Sequence, residues 1–128
     1  MPGQFTLGKK ERLKRRKIIE QLFSEGKAVH VPPLRAVYKL YSNTLDSSLQ
    51  AGFTASSRQF KKAVDRNRIR RLLREAWRIQ KNSLQEKLAN EQKQLAVFIV
   101  YGGKELPSLA TLKEQMAVIL SKLAKAAS

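Results

Sequence analysis

Cysteine is absent from this chain of 128 residues, and histidine occurs once, at His30. Without thiols there is no disulfide framework, no thiolate nucleophile and no cysteine zinc site. A single imidazole rules out a histidine metal cluster, and nothing else here resembles a histidine-based triad. Acidic residues are scarce as well, with 10 Asp and Glu against 26 Lys and Arg. Glu11, Glu20, Glu25, Asp46, Asp65, Glu75, Glu86, Glu91, Glu105 and Glu114 are scattered and form no evident general acid–base pair. No apolar run approaches the length of a membrane span. The opening Met1-Pro2-Gly3-Gln4 has no signal-peptide core, so the expected location is the cytoplasm, with no membrane partner.

What remains is a basic, otherwise globular composition with a net charge of +16. The length fits one domain with a single ordinary core. Residues 9–17 hold seven cations and one acid, and residues 58–81 hold ten cations and two acids. Nearly all of the excess charge lies in those two segments, as expected of a nucleic-acid binder. The second segment also separates into two faces at helical period. Ile69, Leu72, Leu73, Ala76, Trp77 and Gln80 follow one stripe, while Asn67, Arg70, Arg71, Arg74 and Arg78 follow another. A solvated helix face ordinarily mixes signs, yet here Glu75 alone offsets the arginines. Such a face calls for an external polyanion, and guanidinium suits phosphate because it binds in bidentate fashion.

Along the chain, residues 1–12 read as an extended basic arm with Phe5 and Leu7 as isolated apolar anchors. A short helix is expected from about Arg15 to Glu25, stopped by Gly26. Pro32-Pro33 then imposes extended backbone. Leu34–Tyr41 and Leu49–Ala55 alternate at period two and suggest an antiparallel hairpin across the turn-rich Ser42–Ser48, with further short strand pairing near Val29–Val31. The basic helix is expected to run to about Lys81 and to continue, with a break, toward Gln94. Leu95–Tyr101 is apolar throughout and reads as a central strand buried on both faces. A last amphipathic helix, carrying Leu109, Leu112, Met116, Ile119, Leu120 and Leu123, opens at Pro107-Ser108, with residues 124–128 as a tail. The expected class is α+β, in the order α-β-β-α-β-α, as one domain over residues 1–128.

Gly52 in a strand, the turn Ser56-Ser57-Arg58, and Ala63-Val64-Asp65-Arg66-Asn67-Arg68 running on through Arg70-Arg71, Arg74 and Glu75 together resemble the protein component of bacterial ribonuclease P. Leu13, Ile19, Phe23, Gly26 and a strand bearing Tyr38 fit the same pattern, so the resemblance spans roughly residues 5–123. An Arg-Asn-Arg tripeptide alone is weak; embedded in this helix after this strand it is specific. Ser57 stands where the family commonly has lysine, Ile19 where an aromatic is frequent, and the connector before Ala63 is one residue longer than the commonest pattern.

The resemblance implies a two-layer α/β sandwich like that of a ribosomal-protein domain and of elongation factor G, with a left-handed β-α-β crossover. It implies a subunit that binds the catalytic RNA and the 5′ leader of precursor tRNA and promotes endonucleolytic 5′ maturation. Hydrolysis would belong to the RNA, with Mg2+ bound chiefly there, and no protein partner would be required. Residues implied for the RNA subunit are Arg58, Arg66, Asn67, Arg68, Arg70, Arg71, Arg74 and Arg78. For the leader they are Arg12, Arg15, Ile19, Phe23 and Tyr38, the two aromatics lining a cleft between the first helix and the sheet. Trp77 belongs by position to the core, His30 reads as a polar residue at a strand entry, and Asp65 as a helix-turn residue rather than a metal ligand. A structural RNA-binding protein such as a ribosomal component is the alternative, marked by co-purification with ribosomes. A DNA-binding protein would instead prefer duplex DNA over structured RNA at matched salt.

Overall fold

The computed structural model describes residues 11–127. Residues 1–10, with most of the expected arm and its Phe5 and Leu7, and Ser128 lie outside the described residues. Eight elements follow one another: α1 (Arg16–Glu25), β1 (Lys27–Val31), β2 (Leu34–Tyr41), β3 (Leu49–Ala55), α2 (Ala63–Arg78), α3 (Asn82–Asn90), β4 (Gln94–Tyr101) and α4 (Leu109–Ala126).

The order is thus α-β-β-β-α-α-β-α, because β1 is a full strand and the basic helix ends at Arg78. A turn over 79–81 redirects the chain so that Leu84 and Leu88 of α3 reach the same core as Trp77. Residues 124–127 are not a free tail: α4 continues to Ala126, and Ala127 is buried.

The four strands stand in the order β1-β2-β4-β3. β2 and β3 therefore do not form the expected hairpin. β4 lies between them, antiparallel to β2 and parallel to β3. Alternation identifies a strand but not its partner. The partner is decided by β4, which is apolar on both faces and must be interior. A parallel β3–β4 pair needs a long crossover, which α2 and α3 supply. A tight antiparallel connection joins β1 to β2 through Pro32-Pro33, a turn with a cis peptide bond rather than an extended stretch.

Both faces of the sheet are covered. On one, Leu34, Ala36, Ala51, Phe53, Leu95, Val97 and Ile99 meet the apolar stripes of α2, α3 and α4. Trp77 is fully buried there, its ring edge-on to Phe53 at 6.1 Å. Burial of each such large side chain stabilises the fold by about 1.5–3 kcal/mol. On the other face α1 packs alone, Ile18 and Leu22 against Val37 and Ala96, with Leu13 and Leu45 closing the edges. The two-layer expectation therefore becomes a sheet with one helix on its second face. The side-chain amide of Gln94 ties the 42–48 loop to β4, accepting from Thr44 and Leu45 N–H and donating to Leu45 O.

Candidate nucleic-acid interface

The outer edge of β3 is where the two basic segments meet. The chain just before α1 runs beside this edge, with Arg12 bridged to Ala51 and Leu13 N–H donating to Ala51 O at 2.9 Å. Leu13 is buried, so its neighbours Arg12 and Lys14 are turned outward and exposed. α2 lies against the opposite face of the sheet but presents Arg70 and Arg74 around the same edge. A concavity of about 240 Å³ results, lined by Arg12, Lys14, Gly52, Arg70, Arg74 and Phe98. Phe98 in turn meets Phe23 of α1 edge-on, with ring centroids 5.6 Å apart and an interplanar angle of 69°. Phe23 is 50% exposed, unusual for an aromatic on a packed helix. Four cations and the Phe98 ring thus share one concave surface, with Phe23 packed edge-on against that ring, a composition that holds a single-stranded polyanion with little demand on base identity.

The remaining arginines of α2 divide by what they touch. Arg68, Arg71 and Arg74 are exposed, as is Arg58 in the preceding turn. Arg70 is half-buried and donates to Asn67 Oδ1, while Asn67 itself is exposed. Arg66 instead caps the connector from inside, its Nη1 donating to Phe60 O at 2.8 Å and Lys61 O at 2.9 Å. Arg78 hydrogen-bonds to both carboxylate oxygens of Glu75, at 2.6 and 3.0 Å. That bond holds the Glu75 carboxyl below the usual carboxylate range. Asp65 sits in the first turn of α2, where a carboxylate complements the positive end of the helix.

Not every expected leader residue joins the concavity. Arg15 is the residue preceding α1 and donates to Thr44 O at 2.9 Å. Ile19 is half-buried on the inner side of α1. Tyr38 is the clear correction: it is half-buried on the other face of the sheet, packed with Val29 against the main core. Odd and even positions of β2 face opposite ways, so Tyr38 cannot share a cleft with Phe23. The tyrosine on α1's side is Tyr41, whose hydroxyl donates to Gln21 Oε1 at 2.7 Å and whose pKa burial raises. His30 is exposed on the edge strand β1.

Comparison with known proteins gives the family. Residues 7–124 match the family model for ribonuclease P. The chain is 37% identical to the ribonuclease P protein component of Porphyromonas gingivalis, over 96% of this chain and 90% of that protein. It belongs to the ribonuclease P protein family. A second relative, the ribonuclease P protein component of Chlorobium phaeobacteroides, is 28% identical over 92% of this chain and 88% of its own length. The solved RNase P protein of Staphylococcus aureus shares the fold with a TM-score of 0.69 at 14% identity, covering 88% of this chain and 94% of that one. The chain is therefore the protein component of a ribonuclease P, the ribonucleoprotein of tRNA 5′ processing.

Within this ribonuclease P protein, two residues of the concavity escape sequence reasoning, Phe98 and Lys14. Phe98 is hidden in an apolar run, although strand parity sets it opposite Val97 and Ile99. Gly52 acquires its reason from the same ring. The two residues are register partners, and a Cβ on Gly52 would stand 2.5 Å from Phe98 Cδ1. Gly52→Val should therefore push the Phe98 ring away from Phe23 and lower the melting temperature by about 3–8 °C. Aromatic chemical shifts of both phenylalanines and a thermal scan test this; unchanged ring shifts would show that the glycine has no such role.

Proposed function

We propose that this chain engages the catalytic RNA through the exposed arginines of α2 and the turn before it, and holds the 5′ leader of precursor tRNA in the concavity between Phe23, Phe98, Arg12 and Arg74. The observation carrying this reading is the continuity of the aromatic pair with four cations around the β3 edge. Arg58, Arg68, Arg71 and Asn67 are assigned to RNA phosphates and local shape, because they are exposed in the domain's basic half. Arg66 and Arg78 contribute mainly by bracing the helix they stand on.

Mg2+ belongs to the RNA in this reading. Among the described residues no group of three or more His, Cys, Asp or Glu comes together. The protein's part is electrostatic: its cations replace counter-ions at crowded RNA phosphates, which reduces the divalent cation needed for the active structure. Among the described residues no helix is long and apolar enough to cross a membrane, and the cytoplasm, where precursor tRNA is made, is the proposed location. The left-handed sense of the β3–α2–α3–β4 crossover and kinship with the ribosomal-protein and elongation-factor-G domains form part of the same proposal.

Reconstitution is the test. The purified chain, free of RNA, should not cleave precursor tRNA. Added to a bacterial ribonuclease P RNA, it should lower the magnesium required for 5′ cleavage by severalfold, and high salt should remove the benefit. Cleavage by RNA-free protein, or a magnesium requirement indifferent to the protein, would overturn the reading.

A further inference from the structure

Lys81 closes the second basic segment of the sequence, yet its side chain is only 2% exposed. It occupies the corner between α2 and α3, and three oxygens surround its ammonium. They are Glu11 Oε1 at 3.2 Å, Gln85 Oε1 at 2.8 Å and Asn82 Oδ1 at 3.4 Å. Three acceptors match the three N–H donors of a lysine. Gln85 Nε2 also donates to Glu11 Oε1 at 3.0 Å, so the carboxylate is held from two sides. A cation this deeply buried is costly unless paired, which makes the arrangement specific rather than incidental.

Glu11 is far from Lys81 in sequence but adjacent to Arg12. The segment that lines the β3 edge is therefore pinned twice: at Glu11 by the buried lysine, and at Leu13 by its packing beneath α1 and the bond to Ala51 O. Arg12 lies between the two pins, and Lys14 immediately after them.

We infer that Lys81 is a positioning residue: through Glu11 it locks the N-terminal segment along β3, so that Arg12 and Lys14 stand with Arg70 and Arg74 as one phosphate-binding cluster. It touches no nucleic acid itself. Its effect on substrate comes through the segment that Leu13 and the bridge to Ala51 also hold. The inference rests on the proposed leader site for its functional consequence, but not for the latch itself.

Two single variants separate the latch from a charge effect. Lys81→Met removes the buried cation while keeping an apolar side chain of similar length, and lowers the net charge. Glu11→Gln raises the net charge. If the latch acts as stated, both changes loosen the same segment: hydrogen exchange at the Leu13 amide and trypsin cleavage after Arg12 should each speed up about tenfold, with α4 amides unchanged. Both should also raise the holoenzyme's KM for leader-bearing precursor severalfold, leaving kcat and mature-tRNA binding alone. The double variant should be no worse than Lys81→Met, since one interaction is removed in both. Opposite effects of the two variants on KM would mean net charge and not position is at work, and an equally protected Leu13 would refute the latch outright. A loosened segment with unchanged KM would refute its link to substrate; Arg70→Ala with Arg74→Ala, measured alongside, shows independently whether the cluster binds the precursor at all.

Discussion

Replacing Arg70 and Arg74 together with alanine should weaken the holoenzyme's binding of leader-bearing precursor tRNA by on the order of a hundredfold at physiological salt, with the fold intact. Each guanidinium makes charge-assisted hydrogen bonds to phosphate, which are roughly twice as strong as neutral ones. Each also releases condensed counter-ions, so the slope of log affinity against log salt should flatten by about one unit for every phosphate no longer neutralised. The fold should survive because the core stripe of α2 is made by Ile69, Leu73, Ala76 and Trp77, all fully buried, while Arg74 is exposed and Arg70 half-buried. A filter-binding or fluorescence titration across a salt series, beside a thermal scan, reads both quantities. Unchanged affinity and slope in a folded variant would move leader binding away from this edge. The matching change at Arg66 and Arg78 should behave differently: these side chains brace the connector and Glu75, so their removal should be felt first in thermal stability.

Phe23→Ala and Phe98→Ala should each weaken binding of leader-bearing precursor by the holoenzyme by about tenfold or more, and leave mature tRNA nearly untouched. Stacking of a base on an aromatic is worth about 1–3 kcal/mol by alanine substitution, and about 1.4 kcal/mol is tenfold in affinity. Phe23 is half exposed and contributes little to the core, so its removal should cost stability only through the edge-on packing with Phe98. Tyr38→Ala is the contrast. That ring packs with Val29 on the opposite face, so its removal should lower the melting temperature and affect both ligands equally. Paired titrations with precursor and mature tRNA decide the matter. Equal weakening for both ligands at Phe23, or leader-selective weakening at Tyr38, would refute the assignment of faces.

The periodic segments are legible in the sequence because they rest on local rules. A stripe at 3.6 residues defines α2 and sends Trp77 inward, and an unbroken apolar run places β4 centrally with its neighbours on both sides. The family, too, is legible, because the Arg-Asn-Arg helix carries its identity in consecutive residues. The differences have one cause: each concerns which distant element a residue meets. The family resemblance places Tyr38 and Phe23 in one cleft, whereas strand parity separates them by the thickness of the sheet. The β2–β3 hairpin does not form because alternation is silent about partners, and the insertion of β4 is a long-range event.

Charge shows the same division. Composition and spacing alone determined that this protein concentrates its positive charge in two segments and carries no cysteine and one histidine. They also settled that it folds around one central strand with an arginine-rich helix beside it. Only the tertiary structure decided which cations are free to act. Lys81 is committed to Glu11, Arg78 to Glu75 and Arg66 to the carbonyls of the connector, while Arg12 and Lys14 are brought across the β3 edge to join Arg70 and Arg74. The physical reason is that charge is a property of a residue, but its availability depends on burial and partners, and chain folding sets both of these over separations of tens of residues.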